Sequence, residues 1–204
     1  MIYNDFNGIK LSALGMGNMR LPVLDGNDSK IDTDLSKKMI AYCMESGINY
    51  YDTAYGYHGG QSELVVGELL KEYDRDSFYL ASKFPGYDLS NMPKVKEIFE
   101  EQLRKCQVDY FDFYLFHNVC EMNIEAYLDP KFGIYEFLCE QKKNGRIKHL
   151  GFSAHGDTAC RRQTRKHGEK QNRQPHGRLT CQSHPAPNGR PNGRNVPDEH
   201  RDRP

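Results

Sequence analysis

The feature that most constrains this chain is an alternation. Short apolar runs and amphipathic stretches take turns with a spacing of about 30 residues, the length of one strand-helix-strand unit. The apolar runs are Leu11 to Gly17, Ile48 to Asp52, Phe78 to Lys83, Asp109 to His117 and Ile147 to Ser153. Between them lie helical patterns. Ser36 to Ser46 places Met39, Ile40, Cys43 and Met44 on one face and stops at Gly47. Gln61 to Tyr73 carries an apolar stripe of Leu64, Val65, Leu69 and Leu70. Pro93 to Cys106 buries Val95, Ile98, Phe99, Leu103 and Cys106, and Phe132 to Lys143 ends at Asn144-Gly145. Strand and helix alternating in this order predict an α/β fold with a parallel sheet and helical crossovers. Ahead of them, residues 2–4 and 9–11 flank Asn7-Gly8, a turn signal that predicts a short hairpin.

The alternation ends after residue 157. Residues 1–157 hold 17 Lys+Arg and 24 Asp+Glu, whereas residues 158–204 hold 11 and 4, so a neutral total hides an acidic part and a basic part. The second part has no Phe, Tyr, Trp, Ile or Met, and its few apolar residues cannot form a core that offsets ordering entropy of about 1–2 kcal/mol per residue. The sequence therefore divides into a foldable unit, 1–157, and a low-complexity basic tail, 158–204, expected to be disordered. Three readings of the tail compete. It could be a nucleic-acid-binding arm, but stacking aromatics are absent and its charge is diffuse. It could bind zinc through Cys160, His167, His176, Cys181 and His184, but the spacings match no zinc pattern. The favoured reading is a GC-rich gene read in the wrong frame. On these grounds neither a specific nucleic-acid partner nor a metal is expected.

Six cysteines are scattered without C-x-x-C spacing, which suits reduced thiols in the cytoplasm better than a disulfide framework. No apolar run approaches 18 residues and no signal-peptide pattern is visible, so no membrane association is expected.

Four polar residues stand out: Asp52, Tyr55, Lys83 and His117. The step from Asp52 to Lys83 is 31 residues and from Lys83 to His117 is 34, one unit each. Each residue closes or just follows a strand, at the end of a parallel barrel that carries chemistry. A tyrosine hydroxyl, with an ordinary pKa near 10, donates its proton more easily beside a lysine ammonium. A buried lysine needs an anion, which Asp52 could supply, and a histidine could orient a carbonyl oxygen. Such a set protonates an oxygen. Reducing a carbonyl also needs a hydride, which no side chain supplies, so a nicotinamide cofactor is implied. Simpler readings stay open: Tyr55 lies among Tyr50, Tyr51 and Tyr57 and could only pack, Lys83 could be a solvated strand cap, and His58 and His155 compete with His117.

Asp52-Thr53-Ala54-Tyr55-Gly56, followed by Ser62-Glu63 and Gly67, resembles the aldo/keto reductase signature. So do Ser82-Lys83, the run Asp109 to His117, and Gly145 to Ser153. The resemblance covers about residues 2–157. It implies a (β/α)8 TIM-type barrel and the reduction of an aldehyde or ketone by hydride from NADPH. Tyr55 would be the general acid, Lys83 its pKa-lowering partner, Asp52 the partner of Lys83, and His117 the residue that orients the small-molecule carbonyl substrate. Gly17, Asn18, Asp52 and Ser153 would contact the cofactor.

The chain departs from the family pattern in three places. Ser153-Ala154-His155 stands where the family commonly has Ser-Asn against the nicotinamide amide. The Gly-Phe-Ser-Ala-His string resembles a bacterial branch that often ends in an iron–sulfur segment, yet no such cysteine run follows. Eight strands need about 250 residues, whereas the pattern here yields five. The barrel is thus expected to be incomplete, with open sheet edges that invite aggregation. The alternatives to an enzyme are a non-catalytic regulatory barrel and a functionless truncated product.

Overall fold

The computed structural model describes residues 1–158, Arg162 and the backbone of residues 180–181. Most of the basic tail, including the candidate zinc ligands other than the backbone of Cys181, lies outside the described residues.

The chain opens with an antiparallel hairpin of β1 (Tyr3–Phe6) and β2 (Ile9–Ser12). Its two turn residues, Asn7 and Gly8, have φ of 51° and 87°. Such a turn matches the twist of the strands and favours Asn-Gly. A parallel sheet follows in the order β3 (Met16–Gly17), β4 (Tyr50–Asp52), β5 (Tyr79–Phe84), β6 (Phe111–Val119), β7 (Ile147–Ala154) and β8 (Thr180–Cys181). Helices α1 (Thr33–Glu45), α2 (Ser62–Leu70), α3 (Val95–Cys106) and the pair α4 (Ile124–Leu128) and α5 (Ile134–Lys143) make the crossovers. Among the described residues this is the strand-helix alternation of part of a parallel barrel.

Three local outcomes differ from the sequence reading. Leu11 to Gly17 is not one strand. Leu11 and Ser12 pair with the hairpin, Ala13 and Leu14 are exposed, and only Met16 and Gly17 join the parallel sheet against Tyr51 and Asp52. Along α2, Leu64 is exposed while Glu63 is buried. A two-residue strand, Thr180–Cys181, lies beside Gly151 and Phe152, so the sheet continues past the five strands read from the sequence.

The core lies between sheet and helices. Phe99 on α3 packs edge-on against Phe111 and Tyr114 of β6, and Ile98, Leu103, Leu80 and Leu138 are buried around it. β6 is buried from Phe111 to Phe116, as expected for a parallel strand covered on both faces. Phe6 of the hairpin reaches Phe113 and His149, whose rings stack 4.9 Å apart. That aromatic group lies toward the start of β6 and β7, away from the strand ends that carry Lys83 and His117.

Candidate active site

The C-terminal ends of β4, β5 and β6 bring Asp52, Lys83 and His117 together. Lys83 is 5% exposed, and its ammonium is fully engaged. Nζ donates to Asp52 Oδ1 at 2.6 Å, to the Thr53 carbonyl at 2.7 Å and to the Tyr57 hydroxyl oxygen at 3.3 Å. A buried ammonium is tolerable only with an anion and acceptors around it, and the register of β4 against β5 places both there.

Tyr57, rather than Tyr55, is the tyrosine beside the lysine. Lys83 Nζ is also 4.8 Å from the centroid of the Tyr57 ring. Tyr55 turns to the helical layer, where its hydroxyl donates to Glu101 Oε2 at 2.9 Å and Lys105 Nζ lies 4.4 Å from its ring centroid. Burial and the Glu101 carboxylate push the Tyr55 phenol up to about 12, the wrong direction for a proton donor at neutral pH. The expected placement of Tyr55 against Lys83 is therefore corrected to Tyr57. The reason is the path of the loop. Tyr57 begins a tight turn in which His58 and Gly59 are left-handed, with φ of 54° and 61°, and Gly60 has φ of 91°. A Cβ on Gly56 would stand 2.2 Å from the Tyr87 hydroxyl, so glycine there lets Tyr87 close over the loop.

His117 meets two tyrosine rings edge-on, Tyr57 at 5.8 Å and Tyr87 at 5.2 Å between centroids. Burial, the Lys83 charge and His155 lower its pKa to about 3. It is thus neutral across the physiological range. Its Nδ1 is buried with no hydrogen-bond partner among the described residues. Its carbonyl accepts from the Tyr127 hydroxyl at 2.8 Å.

The competing histidines have other settings. His58 is a buried bolt: Nε2 accepts from the Leu21 N–H at 2.9 Å, and Nδ1 lies 2.8 Å from the Asp28 carbonyl. This fixes the loop that runs from Asn18 to α1. His155 is exposed just past β7.

The expected cofactor contacts divide. Asn18 is fully buried, and its Nδ2 donates to the Asp52 carbonyl at 2.9 Å, which joins β3 to β4. Its Oδ1 is left with no hydrogen-bond partner among the described residues. Gly17 is exposed, with no atom within 4 Å of where a Cβ would stand. Ser153 is partly exposed. Its Oγ accepts from the Asn118 N–H at 2.9 Å, where β6 shifts register and Asn118 takes φ of 55°. Asp52 keeps a side-chain exposure of 24% beside the buried lysine. Among the described residues no group of His, Cys, Asp and Glu is arranged to hold a metal ion.

A tyrosine hydroxyl, a buried lysine-aspartate pair and a neutral histidine thus meet at the end of a parallel sheet. The Aldo/keto reductase family model matches residues 13–171, and the chain belongs to that family. It is 30% identical over 166 residues to probable aldo-keto reductase 1 of Glycine max, covering 76% of this chain and 45% of that one. It is 25% identical over 160 residues to an NADH-specific methylglyoxal reductase of Escherichia coli, covering 70% and 48%. Among solved structures it is similar to aldo-keto reductase AKR11C1 of Bacillus halodurans, with a TM-score of 0.58 and 29% identity over 72% of this chain and 48% of that one. The chain spans about half the length of these curated relatives.

Proposed function

We propose that this chain carries the proton-transfer half of an NADPH-dependent carbonyl reductase that converts an aldehyde or ketone to an alcohol. The observation that carries the proposal is the single ammonium of Lys83, which donates to Asp52 and Tyr57 at once beside a neutral His117. Tyr57 gives its proton to the carbonyl oxygen as hydride reaches the carbon. Lys83 stabilises the negative charge left on the Tyr57 oxygen, and Asp52 keeps Lys83 in place and charged. His117, being neutral, offers a ring N–H to the carbonyl oxygen without placing a second positive charge beside Lys83.

The bound nicotinamide would supply the hydride. The residues present fit its reacting end: Gly17 leaves open space at the sheet mouth, Ser153 is partly exposed, and so is the Asp52 carboxylate. NADPH is favoured as the family's usual donor. The Escherichia coli relative is named NADH-specific, so NADH is the natural comparison. A cytoplasmic setting is proposed because Cys43, Cys106, Cys120 and Cys139 are all free thiols. Among the described residues no helix is long and apolar enough to cross a membrane.

A non-catalytic regulatory role is the second reading, since a binding barrel can keep the same Asp52, Lys83 and His117 geometry without turnover. The two separate on purified chain. Loss of NADPH absorbance that depends on an added aldehyde and disappears in Tyr57→Phe supports the reductase. NADPH binding without turnover supports a regulatory barrel, and neither binding nor turnover contradicts both.

A further inference from the structure

Behind Lys83, on the helical side of the sheet, four polar side chains are buried together: Glu63 on α2, Ser82 on β5, Gln102 on α3 and Tyr114 on β6. Successive residues of a strand face opposite ways, so Ser82 meets the helices while Lys83 meets the site. Ser82 Oγ donates to Glu63 Oε1 at 2.6 Å. Gln102 Nε2 lies 2.5 Å from the same carboxylate oxygen, 2.9 Å from Ser82 Oγ and 3.1 Å from the carbonyl of Lys83 itself. The Tyr114 hydroxyl closes the group by donating to Gln102 Oε1 at 2.5 Å.

Burying four polar side chains where apolar ones could pack is costly unless each is well bonded. Glu63 Oε2 has no partner among the described residues, and burial raises the Glu63 carboxyl above its ordinary range. The arrangement thus carries a cost that packing alone does not require. Its geometry has one focus. A single amide, that of Gln102, holds both the side chain before Lys83 and the carbonyl of Lys83. The neighbouring residue on α2, Ser62, bonds to Thr53 Oγ1 and the Asn18 carbonyl at 2.9 Å each, and the Thr53 carbonyl in turn accepts from Lys83 Nζ. The start of α2 therefore grips both strand ends whose residues meet at the ammonium.

We propose that Gln102 is a positioning residue for Lys83, and that Glu63, Ser82 and Tyr114 hold its amide in the one orientation that fixes the Lys83 backbone. This rests on the reductase reading only in that the placement of Lys83 matters to proton donation by Tyr57. A held ammonium exchanges its protons slowly, so Lys83 should give an observable ammonium signal in the NMR spectrum of the 15N-lysine-labelled chain, assigned by its loss in Lys83→Arg.

Gln102→Met, similar in length but lacking the amide, should broaden or abolish that signal, and Tyr114→Phe should shift it. Phe99→Leu, which weakens packing from the same helix, should leave it in place. That control separates positioning from a general loss of stability. Where turnover is measurable, Gln102→Met should lower kcat by on the order of 10–100-fold, the cost of a small misplacement of a catalytic group, with KM for NADPH little changed. Should Gln102→Met fail to fold, Tyr114→Phe decides. An unchanged signal in the folded variants overturns the proposal, as does its absence from the parent chain or its loss in Phe99→Leu. A parent chain without turnover counts against the reductase reading and leaves the spectral test standing.

Discussion

Lys83 Nζ stands 2.6 Å from Asp52 Oδ1, and the two side chains share their burial unequally, with exposures of 6% and 24%. Removing one partner of a buried ion pair leaves the other charge uncompensated, at a cost of about 3–5 kcal/mol when both are fully buried. Asp52→Asn should therefore destabilise the chain by roughly 2–3 kcal/mol, discounted for the solvent that reaches Asp52. The double variant Asp52→Asn, Lys83→Met should lose less, because no charge is left buried. Urea unfolding measures both. A double variant weaker than the single one would contradict the pairing.

The depressed pKa of His117 makes stability depend on pH. In the unfolded chain a histidine titrates near 6.5, whereas here it holds a proton only below about 3. Between these values the unfolded state binds more protons, so stability rises with pH across that window. The stabilising effect is fully present above about 6.5 and is lost as pH falls toward 3. His117→Gln should flatten the pH dependence of the unfolding midpoint between about pH 5 and 6.5, above the ordinary titration range of carboxylates. An identical slope in the variant would show that His117 is not buried in this way.

Two glycines give opposite expectations. A Cβ at Gly86 would stand 2.3 Å from the Tyr127 ring carbon Cζ and hydroxyl, and that hydroxyl reaches the carbonyls of Phe84 and His117. Gly86→Ala should cost about 1–3 kcal/mol by overpacking and disturb the ends of β5 and β6. Gly17→Ala meets nothing within 4 Å and should leave the thermal midpoint nearly unchanged. Thermal unfolding of both variants tests the pair.

Much of this arrangement was legible in the sequence, for a physical reason. Strands such as β6 and helices such as α3 bury apolar residues at fixed periods, so Ile98, Phe99 and Leu103 announce their face. The strand ends carrying Asp52, Lys83 and His117 follow from the same periods. Periodicity says nothing about which way a loop side chain turns. The choice between Tyr55 and Tyr57 was made by a left-handed turn at His58 and Gly59, and by Glu101 and Lys105 on α3. The pair of tyrosines flanking Gly56, with Gly59-Gly60 just beyond, was the available signal that the loop doubles back. Buried polar residues are equally silent. Glu63 and Gln102 look like solvent-facing helix positions until Ser82 and Tyr114 supply their partners. The bond of Asn18 to the Asp52 carbonyl joins segments 34 residues apart, which no local pattern announces.

The sheet edges bear on behaviour in solution. β3 has two residues and forms one edge, and β8 has two residues and forms the other. Among the described residues β8 pairs with only Gly151 and Phe152 of β7, and a strand edge without a neighbour pairs with other chains. Concentration-dependent association in light scattering is the expected outcome. A monomer at high concentration would contradict it.

In the proposed reaction Tyr57, held by Lys83, gives the proton, whereas Tyr55 belongs to the helical layer. The direct measurement is aldehyde-dependent NADPH oxidation by the parent chain, Tyr57→Phe and Tyr55→Phe side by side. Loss of a general acid costs about 10²–10⁴-fold in rate. That loss is predicted for Tyr57→Phe, with Tyr55→Phe within a few-fold of the parent. Activity that survives in Tyr57→Phe but disappears in Tyr55→Phe would contradict the account.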